Sequence, residues 1–275
     1  MKTPLAPLDR ALRAGLVGLC GLVLAFLLLP VLAVIPLSFN AGSFLTYPMS
    51  GFSLRWYQDF VTSPRWLPAL SNSLLIGTVA TTLATVLGTA AALGLDRMGG
   101  LPRQILNALF LMPVVVPVVV IGSSLYALFA TLGLTATYPG LILAHALLGA
   151  PFVVITVAAT LSGFDRRLLQ AALSLGATPV QAFRRVTLPL ILPGVVSGAL
   201  FAFATSFDEI VVTLFLAGPQ QRTLPVQMFD GVREQISPTI TAAATLLFLV
   251  SVALVAVVEW LRRRSGRLRA VREAG

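Results

Sequence analysis

Lysine is almost missing from this 275-residue chain: Lys2 is the only one. A phosphate-binding loop of the GxxxxGK[ST] type needs a lysine beside its glycines, so ATP hydrolysis by that route is excluded. Cys20 is the only cysteine and His145 the only histidine. One of each excludes disulfides and thiolate or imidazole metal clusters, and a Ser-His-Asp triad would have to use His145 inside an apolar run. Charge is scarce too, at 11% of residues against 57% hydrophobic ones, with a mean hydropathy of +0.93. No soluble domain of this size needs so few charges. What the chain does have is apolar runs of about 20 residues, the length that a bilayer core about 30 Å thick demands.

Six such runs stand out, at 14–38, 70–95, 105–130, 140–163, 189–216 and 239–260. They predict an all-α membrane protein with six transmembrane helices. The first is too long for the apolar region of a secretory signal and is expected to stay as an anchor. An even number of spans puts both termini on one side, and the distribution of cations says which. With the N-terminus in the cytoplasm, Lys2, Arg10, Arg13, Arg97, Arg103, Arg166, Arg167, Arg184 and Arg185 lie inside with six tail arginines at 262–272, which makes 15 of 19 cations. Only Arg55, Arg65, Arg222 and Arg233 remain outside. The net charge of +9 thus follows the membrane surface and gives no reason to expect nucleic acid. The expected organisation is a cytoplasmic N-terminus (1–13), a first helix (14–38), an external loop (39–69), a five-helix core (70–260) and a basic cytoplasmic tail (261–275).

Within this plan, FSLRWYQDF and SPRWLP in the external loop read as an aromatic belt at the outer interface. Small residues recur every fourth position at Ala80, Ala84, Gly88 and Ala92, a ridge that lets helices approach closely in lipid. Pro113 and Pro117 are expected to kink or break the third span and are hinge candidates. His145 is expected to make an interhelical hydrogen bond. Ser206-Phe207-Asp208-Glu209 carries the one adjacent acidic pair near membrane depth. Counted from Pro189, Asp208 lies about 28 Å along a helix, which puts it near the outer boundary of the hydrocarbon if the helix is unbroken. A carboxylate facing lipid costs a few kcal/mol, so both acids should face the bundle interior, an aqueous cavity or the outer interface. Residues 220–237 read as an external loop, and Ser237-Pro238 as the start of the sixth helix.

The longest polar interruption in the middle of the chain is DRRLLQAALSLGATPVQAFRRVTLP, residues 165–189. It reads as two short helices at an angle. Asp165 caps the first, and Gly176 supplies the left-handed residue that ends it. Thr178, Pro179 and Gln181 form a capping box that starts the second, which Leu188-Pro189 is expected to stop. The charge asymmetry makes this basic element cytoplasmic.

Its spacing, Gln170-Ala171-Ala172, three residues, Gly176, nine residues, Val186-Thr187-Leu188-Pro189, resembles the EAA loop of permease subunits in binding-protein-dependent ABC importers. Gln170 stands where that family has glutamate and Val186 where it has isoleucine. With FSLRWYQDF, SFDEIVVTLFLAG (206–218) and QISPTITAAATLLF (235–248), the chain resembles the spermidine/putrescine branch, and its second permease in particular. The resemblance implies a type I importer permease fold with cytoplasmic coupling helices at 165–188, in a bacterial inner membrane. It assigns Gln170, Ala171, Ala172, Gly176, Ala177, Leu188 and Pro189 to coupling with an ATPase. The implied partners are a homologous second permease, two ATPase copies that use ATP and magnesium, and a soluble binding protein. This chain would bind no cofactor and catalyse nothing. Polyamines are polycations, so Ser206, Phe207, Asp208 and Glu209 become candidates for the substrate pathway. Permeases for thiamine, iron or phosphonates share the layout. An ion-coupled secondary carrier would have only Asp208, Glu209 and His145 to work with, because spans one, two, three and six hold no ionisable group in their cores.

Overall fold

The computed structural model describes residues 7–234 and 237–273, without the side chains of 7–11, 14, 234, 254 and 258–273. Lys2, the Arg10 side chain and the six tail arginine side chains lie outside the described residues. The chain is helical throughout: α1 (Pro7–Leu37), α2 (Arg55–Thr62), α3 (Trp66–Arg97), α4 (Gly100–Val115), α5 (Val118–Leu132), α6 (Tyr138–Ser162), α7 (Arg166–Ser174), α8 (Pro179–Ala182), α9 (Leu188–Phe207), α10 (Val211–Leu216), α11 (Leu224–Glu234) and α12 (Thr239–Glu273). Among the described residues five helices are long and apolar enough to cross a membrane, or up to six if the bent pair α4–α5 is one span. By length and composition five of the six expected runs hold such a helix, and the third holds the bent pair. Two compact units form, 1–63 with 231–248 and 64–230 with 249–275, a division different from the expected 70–260 core.

In the first unit the 39–69 loop, expected to be external, is more ordered than an interfacial belt. Trp56 and Phe60 lie four residues apart on one face of α2, so a single side of that helix is apolar, and both are buried. The Trp56 indole N–H donates to the Asn40 carbonyl at 2.7 Å. Phe39 stacks on Phe52 with ring centroids 5.0 Å apart. The Thr239 hydroxyl donates to Asp59 at 2.6 Å, which ties the start of α12 to α2, and Ser237 accepts from the Thr239 N–H at 3.3 Å as the cap reading predicted. Of the outer aromatics, Trp56 and Phe60 thus serve as core.

The second unit is built on α3, α6 and α9. The Ala80, Ala84, Gly88, Ala92 ridge is buried, and a Cβ on Gly88 would stand 2.8 Å from Val153 of α6. α9 carries a matching stripe that the sequence reading passed over: Gly194, Gly198 and Ala202, also four residues apart. A Cβ on Gly198 would stand 2.7 Å from the Val153 Cα, so these helices touch backbone to backbone. A Cβ on Gly149 of α6 would stand 3.0 Å from Ala202 of α9 and 3.5 Å from Ala84 of α3, so the three helices meet at this glycine. In lipid such packing replaces the hydrophobic effect as the force that associates helices.

Two spans are broken. Pro117 has no N–H to give the helix and pushes Val116 to extended backbone (φ −74°, ψ 135°), so α4 and α5 meet at 103°. Pro113, by contrast, is absorbed within α4. The fifth span also breaks: α9 ends at Phe207 and a separate α10 follows. The 220–237 loop contains α11, where Leu224 and Val226 are buried.

Candidate functional site

The polar interruption folds as its caps dictate. The Asp165 carboxylate accepts from the Arg167 N–H at 2.9 Å. Thr178 and Gln181 exchange side-chain and backbone hydrogen bonds, which completes the capping box. Gly176 adopts φ +87°, the left-handed conformation that turns the chain from α7 to α8. Gln170, Ala171 and Gly176 are exposed, while Ala172 and Ala177 are half-buried. Four apolar side chains, Leu168, Leu173, Leu175 and Val180, also stand exposed on this short element, with Leu175 at 89%. At the root of α7, Arg166 donates to both the carbonyl (2.7 Å) and the carboxylate (2.9 Å) of Asp96 at the end of α3.

One expectation is corrected here. Leu188-Pro189 does not stop the second short helix. α8 runs through a π turn, Phe183–Thr187, directly into α9, and the Leu188 N–H bonds the Phe183 carbonyl five residues back. In an α-helix the Pro189 ring would collide with the Arg185 carbonyl, four residues earlier. The wider π turn relieves that contact and lets Leu188 stay helical despite the proline after it. α8 and the fifth apolar run thus form one 29-residue helix, Pro179–Phe207. Its length is about 43 Å at 1.5 Å per residue.

The far end of this helix carries the acidic pair. Ser206 and Phe207 are buried: the Ser206 hydroxyl meets His145 Nδ1 at 2.8 Å, and Phe207 stacks on Phe203. The expected interhelical bond of His145 is therefore present, and Nε2 makes another, with Thr213 of α10 at 3.0 Å. Asp208 is exposed on the chain's surface, and Glu209 is half-buried with its carboxylate accepting from the Val212 N–H at 2.8 Å. Glu209 thus caps α10, a role that needed the break to be seen.

His145 lies seven residues into α6, so its partner Ser206 sits about 10 Å inside the end of that helix, and the acidic pair follows directly at the break. Unpaired backbone inside a bilayer is tolerated only against protein or water. Two cavities in this unit do not reach the pair. One of about 520 Å³ lies by Asp96, Arg103 and Asn107, and one of about 600 Å³ is apolar, by Pro113 and Val116. Asp208 faces outward from the chain instead.

Residues 84–269 match the family described as binding-protein-dependent transport system inner membrane component. The spermidine/putrescine transport system permease protein PotC of Haemophilus influenzae is 34% identical, over 88% of this chain and 94% of its own. The putrescine transport system permease protein PotI of Escherichia coli K12 is 36% identical, over 90% of this chain and 92% of its own. A crystal structure of a bacterial ABC transporter involved in alginate import superposes with a TM-score of 0.70 at 13% identity, over 96% of this chain and 99% of that one. The chain belongs to the binding-protein-dependent inner membrane component family and has the type I ABC importer permease fold. It is a transport subunit and not an enzyme; in these systems the ATPase is a separate subunit.

Proposed function

We propose that this permease translocates polyamines, putrescine and spermidine, delivered by a soluble binding protein and driven by a partner ATPase. The observation that carries the substrate reading is Asp208. It is an exposed carboxylate next to Glu209, at the break of a discontinuous apolar span. Lipid would penalise it, so it faces a partner surface or an aqueous path. There a polycation gains more from it than in bulk water, because the local dielectric is low. The names of the relatives at 34% and 36% identity support the same substrate class.

The coupling reading places Gln170, Ala171, Ala172, Gly176, Ala177, Leu188 and Pro189 on the input side. The exposed Leu168, Leu173, Leu175 and Val180 offer an apolar face to an ATPase. The complete transporter then contains a homologous second permease, two ATPase subunits that bind ATP and magnesium, and the binding protein. Both termini are cytoplasmic by the 15-to-4 asymmetry of cations. ATP-driven closure of the ATPases displaces α7 and α8, and the continuous helix carries that motion to the acidic pair. Pro113 and Pro117 are candidates for a hinge in the same cycle, with the bend located at Pro117.

The test is ATP-dependent uptake of radiolabelled putrescine into proteoliposomes holding the assembled complex. The double variant D208N/E209Q should lower uptake at least about tenfold, a loss of some 1.4 kcal/mol, while binding-protein-stimulated ATPase activity persists. Unchanged uptake removes the pair from the pathway. Accumulation without ATP or ATPase subunits points to a gradient-driven carrier.

A further inference from the structure

His145 is 1% exposed, and both its ring nitrogens are bonded across elements: Nδ1 to Ser206 on the last turn of α9, Nε2 to Thr213 on α10. The Thr213 hydroxyl also lies 3.2 Å from the Glu209 carbonyl, which can only accept. The result is a connected chain: Ser206, His145, Thr213 and the carbonyl of Glu209. It begins one residue before Phe207 and ends at Glu209, so it encloses the break and the acids within it.

The rest of α10 is held at its other end. The Ala136 N–H donates to the Leu216 carbonyl at 2.8 Å, and Phe215 packs on Gly122, where a Cβ would stand 2.7 Å away. At the end adjoining the break, the polar tie to α6 is His145, beside Val212, which is buried in one apolar cluster with Leu141, Ala144 and Leu148. We propose that His145 is the positioning residue that sets the angle between α9 and α10, and through it the place of Asp208 and Glu209 in the cation path. The inference rests on the polyamine-path reading above. His145 touches no substrate; it acts by holding two helix ends that carry no covalent reason to stay in register, since residues 208–210 between them are not helical.

The test is putrescine imported per ATP hydrolysed, in proteoliposomes with saturating putrescine-loaded binding protein, normalised to assembled complex. H145F keeps a ring and removes both nitrogens. It should lower import per ATP about fivefold to thirtyfold, the equivalent of one to two lost hydrogen bonds. H145Q, whose amide can both donate and accept, should recover most of the loss. T213V should lose less than H145F, and H145F/T213V no more than H145F alone, because one chain is being cut twice. A merely structural histidine changes the amount of assembled complex and leaves import per ATP within about twofold of wild type; that result overturns the proposal. If H145F does not assemble, T213V and S206A decide by the same criterion. D208N/E209Q is measured alongside. If it lowers import per ATP while the His145, Thr213 and Ser206 variants do not, this inference fails and the cation path stands. If none of the variants has an effect, the path reading itself has failed.

Discussion

Gly176 shows how much can hang on one backbone angle. A Cβ there would meet nothing within 4 Å, so space does not require glycine; φ of +87° does. An ordinary side chain in the left-handed region costs about 1–2 kcal/mol, and asparagine less. G176V should therefore relax the turn between α7 and α8 and cut ATP-dependent uptake at least about tenfold, roughly 1.4 kcal/mol of lost coupling, whereas G176N should retain most of it. Uptake paired with stimulated ATPase activity reads the difference, and wild-type transport in G176V would remove the turn from coupling. The Asp96–Arg166 pair sits at the opposite extreme. Its side chains are 26% and 62% exposed, so the ion pair is worth about 0–1 kcal/mol in spite of its good distances. D96N should leave the thermal stability of the purified complex nearly unchanged; a large drop would show that the contact carries more than its exposure allows.

Among the elements, the crossing of α6 and α9 is the least tolerant of added volume. Gly194 and Gly198 lie against the backbone and threonine side chains of α6, where nothing flexible can move aside. G198L should cost at least about 1–3 kcal/mol from overpacking and reduce the yield of assembled complex on size-exclusion chromatography. Normal yield would mean the two helices separate more easily than their contacts indicate. These elements also mark what sequence reveals and what it hides. The caps at Asp165, Thr178 and Gln181 were legible because capping is local, and so was the break at Pro117. The α9 glycine stripe had the same four-residue spacing as the α3 ridge and was open to the same reading. The passage of the helix through Pro189 was not legible, because a π turn leaves no spacing signature and the local rule for the residue before proline points the other way. The bonds of His145 to Ser206 and Thr213, 61 and 68 residues away in the chain, needed the fold. Glu209 as a cap depended on a break that no proline or glycine announces.

At the scale of the whole molecule, a single helix links the segment proposed for ATPase coupling to the one proposed for the cation path. One end turns out of Gly176 and Thr178 beside exposed apolar side chains; the other ends beside Asp208. The topology built on it is open to direct labelling. With Cys20 replaced by serine, a lone cysteine at Leu175 should react with an impermeant maleimide only from the cytoplasmic side; labelling from outside would invert the orientation. The central claim is that Pro179–Phe207 moves as one rod. Spin labels at Val180 and Phe201, both exposed, lie about 30 Å apart if the helix is continuous. Pulsed electron–electron resonance on the assembled complex should give one narrow distance, the same in the nucleotide-free and nucleotide-trapped states. A second population, or a shift of more than about 5 Å, close to one helical turn, would mean that the π turn flexes, and that the coupling motion does not reach the acidic pair through this helix.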